Sequence, residues 1–131
     1  MKIAVSLATV LAIAAVAAPS ALAGPDLKAR GAQVYTANCA ACHQATGQGL
    51  PGVFPPLVGS EYTNKNPKEH IKIVLKGLQG PIKVAGKAYN GVMPAFAHLS
   101  DEDIAAVVTY ERVSWGNHGG AVKPADVKAL R

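Results

Sequence analysis

Apolar residues recur at helical spacing in three separate stretches of the chain, 26–38, 67–76 and 101–115. A repeat of three or four residues places such side chains on one face of a helix, as in a helix that packs on a core. The apolar positions, in chain order, are Leu27, Val34, Tyr35, Ile71, Val74, Leu75, Leu78, Ile104, Val107, Val108 and Tyr110. The pattern therefore predicts three main helices.

Capping residues mark the ends of the second and third of these helices. Asn66 precedes Pro67, which is the order expected for an N-cap followed by the first helical residue, and Gly77 is a typical stop. Ser100 is placed to cap the last helix, with Asp103 at the third helical position. These signals predict helices that begin at residues 67 and 101.

The segments between the helices are rich in glycine and proline. Residues 44–59 contain four glycines and three prolines, so this stretch is predicted to be a loop. Residues 79–92 are also predicted to be a loop, with a small hairpin as an option, because glycines separate short apolar pieces. The tail, residues 117–131, is predicted to pack loosely.

The first 23 residues have the pattern of a cleaved signal peptide. Lys2 supplies a positive start, residues 3–18 are apolar, and residues 21–23 form a small-x-small cleavage site. The mature chain, 24–131, is then predicted to be one domain. An uncleaved anchor is the alternative, because the apolar run and its flank are just long enough to span a bilayer, at about 20 residues. Its weak, alanine-rich hydrophobicity favours the signal peptide, so no stable membrane anchor is expected.

The charge of the chain is mildly basic. Its 13 Lys and Arg against 8 Asp and Glu give a formal net charge of +5, and no Arg-rich tract or nucleic-acid motif accompanies it. Nucleic-acid binding is therefore not expected. Lys68, Lys72 and Lys76 recur every fourth residue on the second helix, which suits docking to an acidic partner, although a solvated helix face is the preferred interpretation. His70 beside them is predicted to be exposed.

The two cysteines of the chain stand in the sequence Cys39-Ala-Ala-Cys42-His43. This is the motif of covalent haem c attachment, in which two thiols three positions apart bind the haem and the adjacent histidine binds its iron. A redox dithiol, a zinc site and a structural disulfide are the alternatives. A second Cys pair for zinc is absent from the sequence, and no βαβ pattern surrounds the motif, so haem attachment is the preferred interpretation.

A second iron ligand is suggested far downstream, at Met93. It is the only methionine besides Met1, and it precedes a proline in a glycine-rich segment instead of lying on a helical apolar face. A lone methionine is ordinarily core filler. Ligation by two histidines, with His98 or His118 in the sixth position, is the competing hypothesis.

Together these features resemble a class I c-type cytochrome. Beyond the residues 39–43 motif, Gly31 and Tyr35 lie where that family carries a glycine and an aromatic residue on its first helix. Residues 55–57 match its Pro-x-Leu segment, and residues 90–96 match its distal loop. The resemblance covers nearly all of the chain after residue 24.

The resemblance implies an all-α, cytochrome c-like fold of three to four short helices around one covalently attached haem. It implies His43 and Met93 as the axial iron ligands, with the backbone carbonyl of Pro55 accepting a hydrogen bond from the His43 ring. Leu57 would pack on the haem. The first and last helices would cross near Gly31.

The function implied is one-electron transfer in the periplasm between a redox protein donor and acceptor, within a respiratory chain and without enzymatic turnover. Export, together with two thiols committed to haem, agrees with that compartment. A cytochrome subunit bound to a periplasmic dehydrogenase or reductase is the alternative, so the protein is expected to be a monomer or such a subunit. A haem enzyme or gas binder with an open sixth site is the third hypothesis.

Overall fold

A computed structural model of the protein describes residues 25–131, so the predicted signal peptide, residues 1–23, lies outside the described residues. Three helices of ten or more residues and three short helical segments accompany one two-stranded sheet within this range. In chain order the elements are α1 (Pro25–Asn38), α2 (Ala40–His43), α3 (Glu61–Asn64), α4 (Pro67–Lys76), β1 (Leu78–Val84), β2 (Lys87–Met93), α5 (Asp101–Val113) and α6 (Pro124–Lys128).

The closest helix contact joins α1 to α5. Gly31 is buried where the helices cross, and a Cβ at this position would overlap the carbonyl oxygen of Ala106 and lie 2.6 Å from the Cβ of Tyr110. Only glycine allows this approach, which explains a residue that otherwise weakens a helix by about 1 kcal/mol. One turn on, the Tyr35 ring lies 5.5 Å from that of Tyr110 and 5.1 Å from that of Trp115.

The predicted caps are present at both later helices. The Asn66 side chain accepts a hydrogen bond from the Lys68 amide at 3.0 Å, and the Ser100 hydroxyl accepts one from the Asp103 amide at 3.0 Å. α5 ends at Val113, two residues before the predicted end, because Ser114 is extended (φ −102°, ψ 164°) and breaks the helix. The predicted starts of both helices are confirmed.

The segment after α4 is a β-hairpin, so the all-α prediction is only approximate. β1 and β2 are antiparallel, with Leu78 opposite Met93 and Val84 opposite Lys87. Ala85 and Gly86 both have positive φ, 49° and 77°, which is the geometry of a two-residue hairpin turn that twists with its strands. The hairpin ends on Met93 and thereby fixes its place beside the end of α4.

The tail is packed, which corrects the prediction that it is loose. Val122 is 3% exposed and Val127 is fully buried, and both belong to the main core. The Thr109 hydroxyl of α5 binds the backbone of Val122 through both its N–H and its carbonyl. The apolar positions of residues 117–131 are too few and too widely spaced to show a helical repeat, so this packing has no clear local signal.

The core lies between α1, α4 and α5, and it opens on one side into the region bounded by residues 44–59 and the hairpin. Its buried apolar members are Tyr35, Cys39, Ile71, Val74, Leu75, Ile104, Ala105, Val107, Val108, Val122 and Val127. None of the helices within residues 25–131 has the length and apolar character needed to cross a membrane.

Candidate functional site

The two cysteines lie at the junction of α1 and α2. The helical turn is closed by hydrogen bonds from the amides of Cys42 and His43 to the Cys39 carbonyl, at 3.2 and 2.9 Å. Cys39 is buried and Cys42 is half-buried, and both are free thiols. One helical turn therefore presents two thiols and an imidazole to the same region of the molecule.

The ring of His43 is held by the loop that follows it. Its Nδ1 lies 2.9 Å from the carbonyl oxygen of Pro55, which can only accept, so Nδ1 carries the proton. This is the hydrogen bond that the resemblance implied. It leaves Nε2 with the free lone pair, and it fixes the plane of the ring, as is usual for a histidine that binds a metal.

Close packing holds the loop in place. The Leu57 amide donates to the Gly47 carbonyl at 2.8 Å, and the Gly49 amide donates to the His43 carbonyl at 2.9 Å. Gly49 has φ 67°, and a Cβ there would lie 2.7 Å from the Pro55 carbonyl oxygen. A side chain at Gly49 would therefore displace the acceptor that orients His43.

Both cysteines, His43 and Met93 line one cleft. The space in the cleft, counted out to open solvent, is about 770 Å³. One wall comes from the loop and the other from the hairpin, and the remaining apolar and aromatic side chains that line it are Val53, Phe54, Pro55, Leu78, Ile82, Tyr89, Val92, Pro94 and Phe96.

The donor set of this cleft fits a covalently attached iron porphyrin. Two thiols can form thioethers, an imidazole Nε2 and a methionine thioether are groups able to bind iron, and the apolar walls suit a flat hydrophobic ring. Within residues 25–131 no three His, Cys, Asp or Glu side chains cluster as a metal site, so the zinc alternative gains no support.

The redox-dithiol alternative disagrees with the surroundings of Cys39. Burial raises the pKa of its thiol far above the usual value, and the negative charge of Glu111 raises it further. A dithiol of the thioredoxin type needs the opposite, a lowered thiol pKa that supplies the reactive thiolate. Cys39 is therefore placed for attachment and not for thiol exchange.

The histidines proposed as alternative sixth ligands lie elsewhere. His98 and His118 are both exposed, and neither lines the cleft. The ring of His98 instead lies 6.1 Å from that of Phe96, centre to centre. The geometry thus favours Met93 over a second histidine.

A second cavity of about 490 Å³ adjoins the first and shares His43, Pro55 and Met93 with it. Leu57 lines this second cavity and is half-buried against the core. The prediction that His70 is exposed is wrong: it is 4% exposed and also lines this cavity. Because it lies one helical turn before Val74, the apolar repeat of α4 already placed it on the buried face.

The site includes one residue that sequence reasoning missed, Asn117. Its Nδ2 donates to the carbonyls of Leu57 and Glu111, at 3.0 and 2.9 Å. Its Oδ1 accepts from the Gly59 amide at 2.9 Å and from the Asn64 side chain at 3.0 Å. Asn117 therefore ties the end of the loop to α5, and no local sequence signal distinguishes it from any other asparagine after a helix.

Comparison with known proteins agrees with this geometry. The family model described as Cytochrome c matches residues 28–112. Cytochrome c-552 of Thermus thermophilus is 49% identical over 94 residues, which cover 69% of this chain and 71% of that protein.

Subunits of dehydrogenases are also similar to the chain. The cytochrome c subunit of alcohol dehydrogenase (quinone) from Gluconobacter oxydans is 39% identical over 105 residues, which cover 77% of this chain and 22% of that subunit. The gluconate 2-dehydrogenase cytochrome c subunit of Pantoea cypripedii is also 39% identical over 105 residues, with 24% of its length covered. The chain therefore spans about a quarter or less of these subunits.

The helices enclose a cleft that contains paired thiols, an oriented imidazole and a thioether. This arrangement defines a haem c protein of the electron-carrier class. The chain belongs to the cytochrome c family, as a class I c-type cytochrome. Its cofactor is haem c, covalently attached.

Proposed function

We propose that the protein is a periplasmic one-electron carrier whose haem c is attached at Cys39 and Cys42 and ligated by His43 and Met93. The observation that carries the proposal is that these four side chains line one apolar cleft, with the His43 ring already oriented by the Pro55 carbonyl. When bound, the haem supplies a reversible one-electron couple between ferrous and ferric iron.

The chain contributes orientation and a water-poor environment. The Pro55 carbonyl accepts a hydrogen bond from the Nδ1–H of His43 and so makes Nε2 a more basic ligand. Met93 offers a thioether, which prefers ferrous iron and raises the reduction potential. Leu57 and the apolar walls keep water from the cofactor, which acts in the same direction.

The same proposal includes the domain boundaries and the location. Residues 1–23 would be removed as a signal peptide, and residues 24–131 would form the mature cytochrome c domain without a stable membrane anchor. Determination of the N-terminus of the native protein tests this. A start at Gly24 in the soluble fraction supports it, and a start at Met1 in the membrane fraction contradicts it.

The partners proposed are redox proteins, a donor and an acceptor, with acidic docking surfaces and no nucleic acid among them. Lys68, Lys72 and Lys76 are all exposed on α4, so this row of lysines can contact such a surface. Exposed complementary charges increase the rate at which two proteins associate more than they increase the affinity of the complex. A free carrier is expected to be monomeric.

Denaturation followed by acid-acetone extraction tests the attachment. With thioethers at both cysteines the haem stays on the polypeptide, and mass spectrometry finds the adduct on the peptide that contains residues 39–43. Haem that extracts freely would contradict the proposal at its base.

A second function is supported by the identity to dehydrogenase cytochrome subunits: a cytochrome bound to a periplasmic dehydrogenase or reductase. Mild purification from native periplasm separates the two, because a subunit co-purifies with its enzyme in fixed ratio and a carrier elutes alone. A haem enzyme or gas binder is distinguished by carbon monoxide, which binds rapidly to an open sixth site and slowly to one that Met93 fills.

A further inference from the structure

A buried acid–base pair lies in the wall of the haem site. The Nε2 of His70 on α4 is 2.7 Å from the Oε2 of Glu111 on α5, and the two residues are 4% and 3% exposed. Titratable groups are seldom buried this fully, because removing a charge from water is costly unless it is well compensated. The pair therefore requires an explanation beyond packing.

The pair lies close to the proposed cofactor. His70 and Glu111 line the second cavity together with His43 and Met93. The pair therefore shares a cavity wall with both proposed iron ligands, so a change in the charge of the iron acts on it through the protein interior.

The hydrogen bonds of the pair are complete in neither protonation state. Within residues 25–131 the Nδ1 of His70 is buried without a partner, so an imidazolium would carry one unsatisfied N–H. A neutral imidazole that donates from Nε2 satisfies its N–H, but it leaves the negative charge of Glu111 in the core without a cation. Each protonation state therefore leaves one buried group uncompensated, so a nearby charge can shift the balance between the two states.

Within the described residues no group other than His70 forms an ion pair with Glu111. On α1, burial first and then the negative charge of Glu111 raise the pKa of Tyr35, so Tyr35 is neutral, and Cys39 has no ionisable thiol once it forms a thioether. Arg112, next along α5, uses its buried guanidinium on backbone carbonyls, among them those of Thr63 and Gly120.

Two further groups line the same cavity. His43 has its Nδ1 engaged by Pro55, and the Tyr62 ring comes from α3. Thr63 lines it too, and its buried hydroxyl has no partner within the described residues. The unpaired Nδ1 of His70 and the unpaired hydroxyl of Thr63 therefore belong to residues that line the same cavity.

We propose that His70 and Glu111 form a proton-binding site whose occupancy follows the haem, so that the protein takes up a proton when it accepts an electron. The electron comes from the redox protein donor and the proton from solvent. The greater positive charge of ferric iron favours the negatively charged, deprotonated state of the pair. Ferrous iron attracts this negative charge less strongly, so the pair then binds one proton, and reoxidation by the acceptor releases it.

The test is the reduction potential of the haem-loaded protein measured from about pH 5 to pH 9, a range that spans the ordinary pKa of histidine. The wild-type potential is expected to fall as pH rises, because the reduced protein holds the proton more tightly. His70→Gln and Glu111→Gln each remove one partner and are expected to flatten the profile. His98→Gln, at an exposed histidine outside the pair, is the control and is expected to keep it.

A second measurement needs no variant. Reduction of the wild-type protein in weakly buffered solution with a pH-indicator dye is expected to take up a proton, approaching one per electron. A flat wild-type profile, no proton uptake, or a slope that survives in both variants would overturn the proposal, and a surviving slope would belong to other groups such as the haem carboxylates.

The inference rests on the proposed function in that it needs a redox-active haem. A haem that is reversibly reduced at a pH-independent potential contradicts the proton site alone. A haem that shows no reversible one-electron couple contradicts the electron carrier, and the proton site with it.

Discussion

The side-chain amide of Asn117 donates to the backbone carbonyl of Leu57 at 3.0 Å, across 60 residues of sequence. Its oxygen accepts from the Gly59 amide two residues further along the same loop. The loop that carries the Pro55 carbonyl is therefore fastened at its far end to Asn117, four residues beyond the end of α5. This contact links the stability of the fold to the orientation of His43.

Asn117→Ala is expected to destabilise the protein by about 2 kcal/mol, because it leaves several buried backbone and side-chain groups without partners. The haem potential should also shift, since the loop holding Pro55 loosens. Guanidinium unfolding and potentiometry measure both effects. Asn90→Ala, at an exposed strand position, is the matched control, and an equal effect there would disprove the special role of Asn117.

Gly31→Ala should lower the free energy of unfolding by roughly 1–3 kcal/mol. The new methyl group overlaps the Ala106 carbonyl oxygen, and this overpacking outweighs the gain of about 1 kcal/mol in helix propensity. Gly91→Ala is the control, because nothing lies within 4 Å of a Cβ there. Thermal unfolding of both variants gives the comparison, and a Gly31→Ala protein as stable as wild type would contradict the close crossing of α1 and α5.

Met93→Ala should lower the reduction potential, because the preference of the thioether for ferrous iron is lost. The weak near-infrared band of sulfur-to-iron coordination in the ferric protein should disappear, while the covalent attachment at Cys39 and Cys42 remains. Gln79→Ala, at an exposed position of β1 that does not line the cleft, serves as control. A wild-type protein without the band, or a potential unchanged in Met93→Ala, would show that Met93 is filler.

Replacing Lys72 and Lys76 with Glu should slow electron transfer to an acidic partner by roughly tenfold at low ionic strength, through lost electrostatic steering. The difference should shrink as salt is raised, because exposed charges are screened beyond about 8 Å at physiological salt. The same exchange at Lys123 and Lys128, exposed on the C-terminal segment, is the control. Equal rates for all proteins at low salt would identify α4 as a merely solvated face.

The helices were predictable because their signals are local. The starts of α4 and α5 follow from N-cap residues that lie within three residues of the amides they bind. The Cys39–His43 motif likewise places both thiols and the imidazole on one helical turn, independently of the rest of the fold. The close crossing at Gly31 came from the resemblance, since a lone glycine in a helix could equally be a weak spot.

Contacts between distant segments were not predictable. The apolar repeat of α4 places His70 on the buried face, but its partner Glu111 lies 41 residues away and no local pattern pairs the two. The hairpin was foreseen only as an option, since its register depends on the turn at Ala85 and Gly86. The packed tail likewise depends on Thr109 and the core beneath it.

The burial of Cys39 also constrains how the protein matures. In the folded chain this thiol is 9% exposed and belongs to the core between α1 and α5. The thiol lines the cleft but is mostly covered by the assembled helices, so a catalyst that joins haem to it has little access once the chain has folded. We therefore expect haem to be attached most readily before α5 docks on α1, and a variant that folds tightly before it receives its haem is expected to be attached more slowly.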